Sequence, residues 1–249
     1  MIIGVSGKIN SGKDTVGKII QSFTNFPNIT NERVAELIEH KDYADNNKWK
    51  IKKFAEKLKQ IVCLLTGCTM QQLEDRTFKE KELGPEWWFY ISKFKPFEMY
   101  SYLEHKESLN NSDNYKLCKT TPRRLLQILG TEAGRKLIHP NIWVNALFTK
   151  YRPIPAKIEN LKEGEDILTK EWKVPNWIIT DVRFPNEVEA IKRNEGFVIR
   201  TNRNSTDNSY HESEIALDDY PFTYKLDNNG SILNLVKQVK EILTVKNII

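Results

Sequence analysis

The sequence predicts an α/β fold in which a parallel sheet is covered by helices on both faces. Three observations lead there. Short apolar runs alternate with stretches of helical periodicity along most of the chain, the pattern of strand–helix–strand units. The first unit joins its strand to its helix through a glycine-rich turn. The runs at 1–5 and 177–180 are apolar rather than alternating, as strands buried on both faces must be.

Residues 1–5 read as the first strand. Residues 7–13 spell Gly-x-x-x-x-Gly-Lys, and Val16, Ile19 and Ile20 follow at helical spacing, so a helix is expected over 13–23. The run NFPNITN breaks the chain, residues 32–40 carry a short helical pattern, and 42–47 read as polar loop. Residues 50–55 are the second strand. They lead into a helix with Leu58, Ile61, Val62 and Leu65 inward, ending near Gly67. Residues 70–83 are polar with helical spacing. Between 84 and 119 the rhythm stops, and Trp87, Trp88, Phe89, Tyr90, Phe94, Phe97, Tyr100 and Tyr102 crowd together. An insertion with its own small core, or a partner surface, explains them better than base stacking, which would need a basic groove. Helix returns over 121–146, with Thr121 as N-cap and Pro122 at the first helical position. A short helix opened by Pro140 carries Trp143 and Leu147. Residues 151–176, rich in charge and holding several prolines, read as a long excursion, a hairpin or lid. Strands are then expected at 177–180, 197–200 and 222–226. A helix from Pro185 closed by Gly196 lies between the first two, a charged loop spans 207–219, and Ser231 caps a final amphipathic helix.

Composition narrows the function classes. The chain is 39% hydrophobic and 29% charged, as globular proteins are, and no apolar run is long enough to span a membrane. With Met1 entering a strand almost at once, no signal peptide is expected. Its net charge of +5 comes from 38 basic residues scattered among 33 acidic ones. That distribution suits small phosphate-bearing ligands better than nucleic acid, and stable nucleic-acid binding is not expected. Cys63, Cys68 and Cys118 form no C-x-x-C and are expected as small buried residues of a reducing cytosol.

The chemistry begins at the turn. Gly7 and Gly12 allow a tight loop whose N–H groups point inward, the helix N-terminus adds positive potential, and Lys13 reaches toward phosphates. Where such loops usually carry Ser or Thr for Mg²⁺, this one has Asp14, followed by Thr15. In an open parallel sheet, ligands bind at the carboxyl ends of the strands, where three further constellations fall. ITDVRFPNE delivers Asp181, Arg183 and Glu187. The arginine suits clamping of phosphoryl oxygens, and Asp181 suits Mg²⁺, a proton or a sugar hydroxyl. The helix from Pro122 carries Arg123, Arg124 and Arg135, with Gly130-Thr131 inside it. A glycine there costs roughly 1 kcal/mol against alanine, which points to close approach of a ligand or a helix. With Trp143 as a flat stacking surface, this segment is a candidate acceptor-nucleotide site. Lys59 lies past the second strand, and Arg76 follows in a charged helix. The segment His211-Glu212-Ser213-Glu214 has neither a second histidine at ligand spacing nor a nucleophile elbow, and stays without a role.

The ordered set GxxxSGKDT, FAxxLK, RRLLQxLGTEAGR with Trp143, DVRFPNE and HESE resembles the bacteriophage deoxynucleoside monophosphate kinase family, within the P-loop kinases. The likeness covers most of the chain, apart from 84–119 and 151–176, and the Asp after the loop lysine is that family's own form. It implies an adenylate-kinase-like three-layer α/β fold with a central parallel sheet of about five strands, one domain over 1–249 carrying those two insertions. It further implies ATP-dependent phosphorylation of a dNMP to the dNDP, with ATP and Mg²⁺ as cofactors, in a cytoplasmic protein (the host cytoplasm if viral). Gly12, Lys13, Asp14 and Thr15 would hold the ATP phosphates, with Arg183 as the ATP-side clamp. Leu58, Lys59, Arg76, Arg123 or Arg124, Gly130, Thr131, Trp143, Asp181 and Glu187 would form the dNMP site. The metal ligand is left between Asp14, Thr15 and the phosphate oxygens with water. A homodimer is expected. Two other readings are a dephospho-coenzyme-A-kinase-like enzyme and a nucleotide-binding regulator or nucleic-acid-binding P-loop protein.

Overall fold

The computed structural model describes residues 1–40, 48–95, 98–155, 172–204 and 211–249. The expected loop at 42–47, Phe97 and most of the excursion at 151–176 lie outside them, as does the start of the loop expected at 207–219. The chain forms two compact units, Met1–Phe54 with Trp143–Ile249, and Ala55–Ile142.

In chain order the first unit opens with β1 (Ile2–Ser6), α1 (Lys13–Asn25), α2 (Asn31–His40) and β2 (Trp49–Lys52). The second unit follows with α3 (Glu56–Thr66), α4 (Met70–Glu74), α5 (Arg76–Glu80), β3 (Phe89–Ser92) and β4 (Met99–Ser101). It continues through α6 (Tyr102–Leu109), β5 (Tyr115–Cys118) and α7 (Pro122–Gln127), which runs on as a π-helix over Ile128–Ile138. At the boundary comes α8 (Ile142–Phe148). The first unit then closes with β6 (Ile154–Pro155), β7 (Trp172–Lys173), β8 (Asn176–Val182), α9 (Pro185–Arg193), β9 (Phe197–Asn202), α10 (Glu212–Ile215), β10 (Tyr224–Asp227) and α11 (Ile232–Val245).

The first unit is built on a five-stranded parallel sheet in the order β10-β9-β1-β8-β2. β1 sits at its centre with all five residues buried, which explains the unbroken apolar run. Ile3 and Val5 point into a core made with α1, α2 and α11, through Val16, Ile19, Ile20, Val34, Val236 and Val239. On the opposite face, α9 packs against β1 and β9. This is the expected three-layer α/β arrangement with its parallel sheet of five strands. Because the neighbours of β1 come from distant sequence, the turn leaving β1 lies where ligands bind in open sheets. No helix among the described residues is long and apolar enough to cross a membrane.

Several expectations shift in detail. The helical run at 70–83 divides at Asp75, whose backbone is extended and whose carboxylate caps α5 by accepting the Phe78 N–H at 2.9 Å. On α3, Leu58 and Val62 are buried, but Ile61 and Leu65, expected inward, face solvent. All three cysteines are free and partly exposed rather than buried. The aromatic stretch forms an antiparallel sheet, β4-β3-β5, around the buried Tyr90. Tyr102 packs on Trp88 and Tyr90, so these rings are a small core, as one of the two readings held. β6 and β7, the described ends of the excursion, pair antiparallel.

Candidate functional site

The loop of residues 7–12 leaves β1 and enters α1 through Gly12, whose backbone is left-handed (φ 92°). A side chain there would be strained and would also collide with Asn228. At Gly7 an added Cβ would lie 2.6 Å from the Thr201 carbonyl. The loop is braced from several elements. Asn228, just past β10, donates to the Ser11 carbonyl at 2.9 Å, and Thr201 of β9 donates to it at 3.3 Å. Lys8 pairs with Asp218 at 2.8 Å, and Asp218 also accepts from Arg200, which reaches the Ser6 hydroxyl.

Lys13 donates to the carbonyls of Gly7 and Lys8 at 2.8 and 2.6 Å. Burial pushes its ammonium down to about 8, and the neighbouring Arg183 guanidinium adds to the effect. The carboxylates of Glu214, Asp14 and Asp181 act in the opposite direction. Asp14 accepts from the Thr180 hydroxyl at 2.6 Å and pairs with Lys53 at 3.2 Å. Desolvation works against its charge, yet Lys53 and Thr180 outweigh it, and the carboxyl titrates below its ordinary value. Thr15 is half-buried in the first turn of α1.

The rim segment differs from expectation in an instructive way. Asp181 lies inside β8, and its carboxylate accepts the Phe54 N–H at 2.8 Å, tying β8 to the exit of β2. Arg183 pairs with Glu214 and donates to the Ser213 carbonyl at 3.3 Å. Glu187 does not join them in presenting a carboxylate to a ligand. It is 1% exposed and accepts the N–H groups of Arg183 and Phe184 at 2.7 and 3.1 Å, because the start of α9 needs a cap and Phe184 cannot supply one. Trp143, expected as an open stacking face, is only 5% exposed, since α8 turns that side inward.

The other expected residues fall in the second unit. Gly130 and Thr131 are buried in the π-helix, and a Cβ on Gly130 would come within 2.8 Å of Leu58. The glycine thus lets Leu58 of α3 approach closely. Lys59 pairs with Glu74 at 2.5 Å. Arg123 pairs with Glu80, and Arg124 reaches both oxygens of Glu132 at 2.8 and 3.4 Å. Arg76 opens α5, which packs against α7.

Sequence reasoning missed Lys53, Thr180, Arg200, Asp218 and Asn228 around the loop. Only Glu214 carried a signal, since HESE stood out without a function. A further observation favours an anion at the loop. Ser11 is 2% exposed and its hydroxyl has no hydrogen-bond partner among the described residues, a buried donor of the kind that a phosphate oxygen satisfies.

A parallel sheet with a glycine–lysine loop leaving its central strand defines the fold of the P-loop kinases. No family model matches the chain. It is 26% identical, over 95% of its length and 93% of the relative's, to the deoxynucleoside-5'-monophosphate kinase of Escherichia phage T5. That likeness bears out the resemblance to the bacteriophage deoxynucleoside monophosphate kinase family.

Proposed function

We propose that this protein transfers the γ-phosphoryl group of ATP to a deoxynucleoside monophosphate, giving the diphosphate for DNA precursor synthesis. The observation that carries the reading is the loop cluster. Arg183 sits close enough to Lys13 to disfavour the ammonium, over a glycine-bounded loop, in a chain similar over 95% of its length to a dNMP kinase. The nearby carboxylates of Glu214, Asp14 and Asp181 leave the ammonium still depressed, and a bound polyanion would offset the rest.

The acceptor phosphate is already ionised at neutral pH, so the reaction asks for positioning and charge neutralisation rather than a strong base. Lys13, Arg183 and the loop N–H groups take the donor phosphates. Arg123, Arg124, Lys59 and Arg76 take the acceptor, with Leu58, Gly130 and Thr131 shaping its surroundings. Asp181, already accepting a backbone N–H, suits an organising role better than proton transfer. The hard oxygens of Asp14 or Thr15 suit Mg²⁺, which usually keeps waters and phosphate oxygens as its other ligands. The ion would supply charge neutralisation on the phosphates. We extend the proposal to a homodimer, on the exposure of Leu64 (86%) and Leu65 (51%) along α3, to be checked by light scattering.

The deciding experiment measures ADP release from ATP with Mg²⁺ against dNMPs, NMPs, dephospho-coenzyme A and oligonucleotides. Turnover with dNMPs is expected. Turnover with dephospho-coenzyme A alone, with oligonucleotides alone, or with no acceptor would overturn the reading.

A further inference from the structure

We propose that Glu214 is the positioning residue of the donor site, aiming Arg183 and fixing the phosphate loop with a single carboxylate. The inference rests on the donor-side reading given above and assigns a role to the one motif which that reading did not use.

Glu214 sits in α10, and its side chain is 11% exposed. An enclosed carboxylate needs partners, and it has two of different kinds. One oxygen accepts the Ile9 N–H of the loop at 2.9 Å, and the other pairs with the Arg183 guanidinium. Arg183 is also held by the carbonyl of Ser213, the preceding residue, so α10 grips it twice. α10 is itself set by His211, whose ring nitrogen accepts the Ser213 N–H at 3.2 Å as a cap. Asp218 then engages the next loop residue back, Lys8. Two carboxylates of the stretch 211–218 thus engage successive loop residues, and Glu214 is the one that also meets the arginine.

The geometry gives Glu214 a job that a surface carboxylate could not do. Arg183 follows β8 and without that carboxylate would keep the Ser213 carbonyl alone of these two partners, with much of its rotamer freedom regained. Bound to Glu214, it is fixed relative to the loop N–H groups that receive the same phosphates. Such fixing is what makes a charge effective in phosphoryl transfer.

The test is a double-mutant cycle of Glu214→Ala and Arg183→Ala, read as ATP affinity by calorimetry without acceptor. Each single change is expected to weaken ATP binding by about tenfold, and the double variant by clearly less than the product of the two, because the arginine acts through the carboxylate that aims it. With a dNMP present, Glu214→Ala should lower kcat while leaving the dNMP KM within about twofold, and Glu214→Asp should recover part of the loss. If Glu214→Ala does not fold, Glu214→Gln, of equal size, takes its place in the cycle. Wild-type affinity in the Glu214 variant, multiplication of the two penalties, or a rise confined to the dNMP KM would overturn the proposal. A wild-type protein that binds ATP but phosphorylates no dNMP refutes the kinase reading alone, and the affinity cycle still decides on Glu214. A wild-type protein that does not bind ATP overturns both.

Discussion

The two cationic clusters of this molecule are held in opposite ways. At the loop, Ile9 and Glu214 meet across 205 residues of sequence, and Arg183 and Glu214 are 27% and 11% exposed. Along α7 and the π-helix, Arg124 meets Glu132 only 8 residues away, with both side chains near half exposure. Removing one partner of an enclosed pair leaves a charge without compensation, whereas an exposed pair contributes about 0–1 kcal/mol. The loop cluster is therefore preorganised, and the arginine cluster is exchangeable. A guanidinium that already takes both oxygens of a carboxylate can trade it for a phosphate at little cost.

The sharpest way to break this contrast is Lys13→Ala, which should lower phosphoryl transfer by roughly 10²–10³-fold with the thermal midpoint nearly unchanged. Full activity in that variant would refute the assignment of the loop. Arg123→Ala and Arg124→Ala should each raise the dNMP KM by about 10–100-fold, the worth of one charged hydrogen bond, while ATP affinity stays constant. Steady-state kinetics with each substrate varied would show it, and a loss on the ATP side would reverse the division of labour. Gly130→Val should cost about 1–3 kcal/mol of stability through collision with Leu58, read as a fall in denaturation midpoint. An unchanged midpoint would mean that α3 gives way easily.

The smallest effect concerns pH. The Lys13 ammonium titrates near 8 in the folded protein, against 10.5 ordinarily. Only the protonated form attracts phosphate, so ATP affinity should decline as pH rises above about 8, with proton uptake on binding. Calorimetry in buffers of different ionisation heat measures that proton directly. For folding, the sign is the reverse. The unfolded chain keeps the proton between about 8 and 10.5 while the folded one has lost it, so this group adds stability as pH rises through that window.

Local signals located most of the elements. The glycine-bounded turn between β1 and α1 is legible because a close-approaching turn has few chemical solutions, and α7 because Thr121 and Pro122 are strong start signals. Gly130 was rightly read as a point of close approach, and Leu58 is what approaches it. The misreadings share a cause. Glu187 and Trp143 look like ligand-facing residues in sequence, yet the demand for a helix cap and for core filling took them both.

The sequence by itself determined the sheet, the loop and the identity of the charged groups, since periodicity and glycine placement are local properties. Only the tertiary structure decided which charges meet. Asp14 turns to Thr180 and Lys53, and Arg183 to Glu214. Ion pairing depends on distance in space. In a parallel sheet whose central strand has neighbours from the far end of the chain, spatial neighbours such as these are too far apart in sequence for any local pattern to register them.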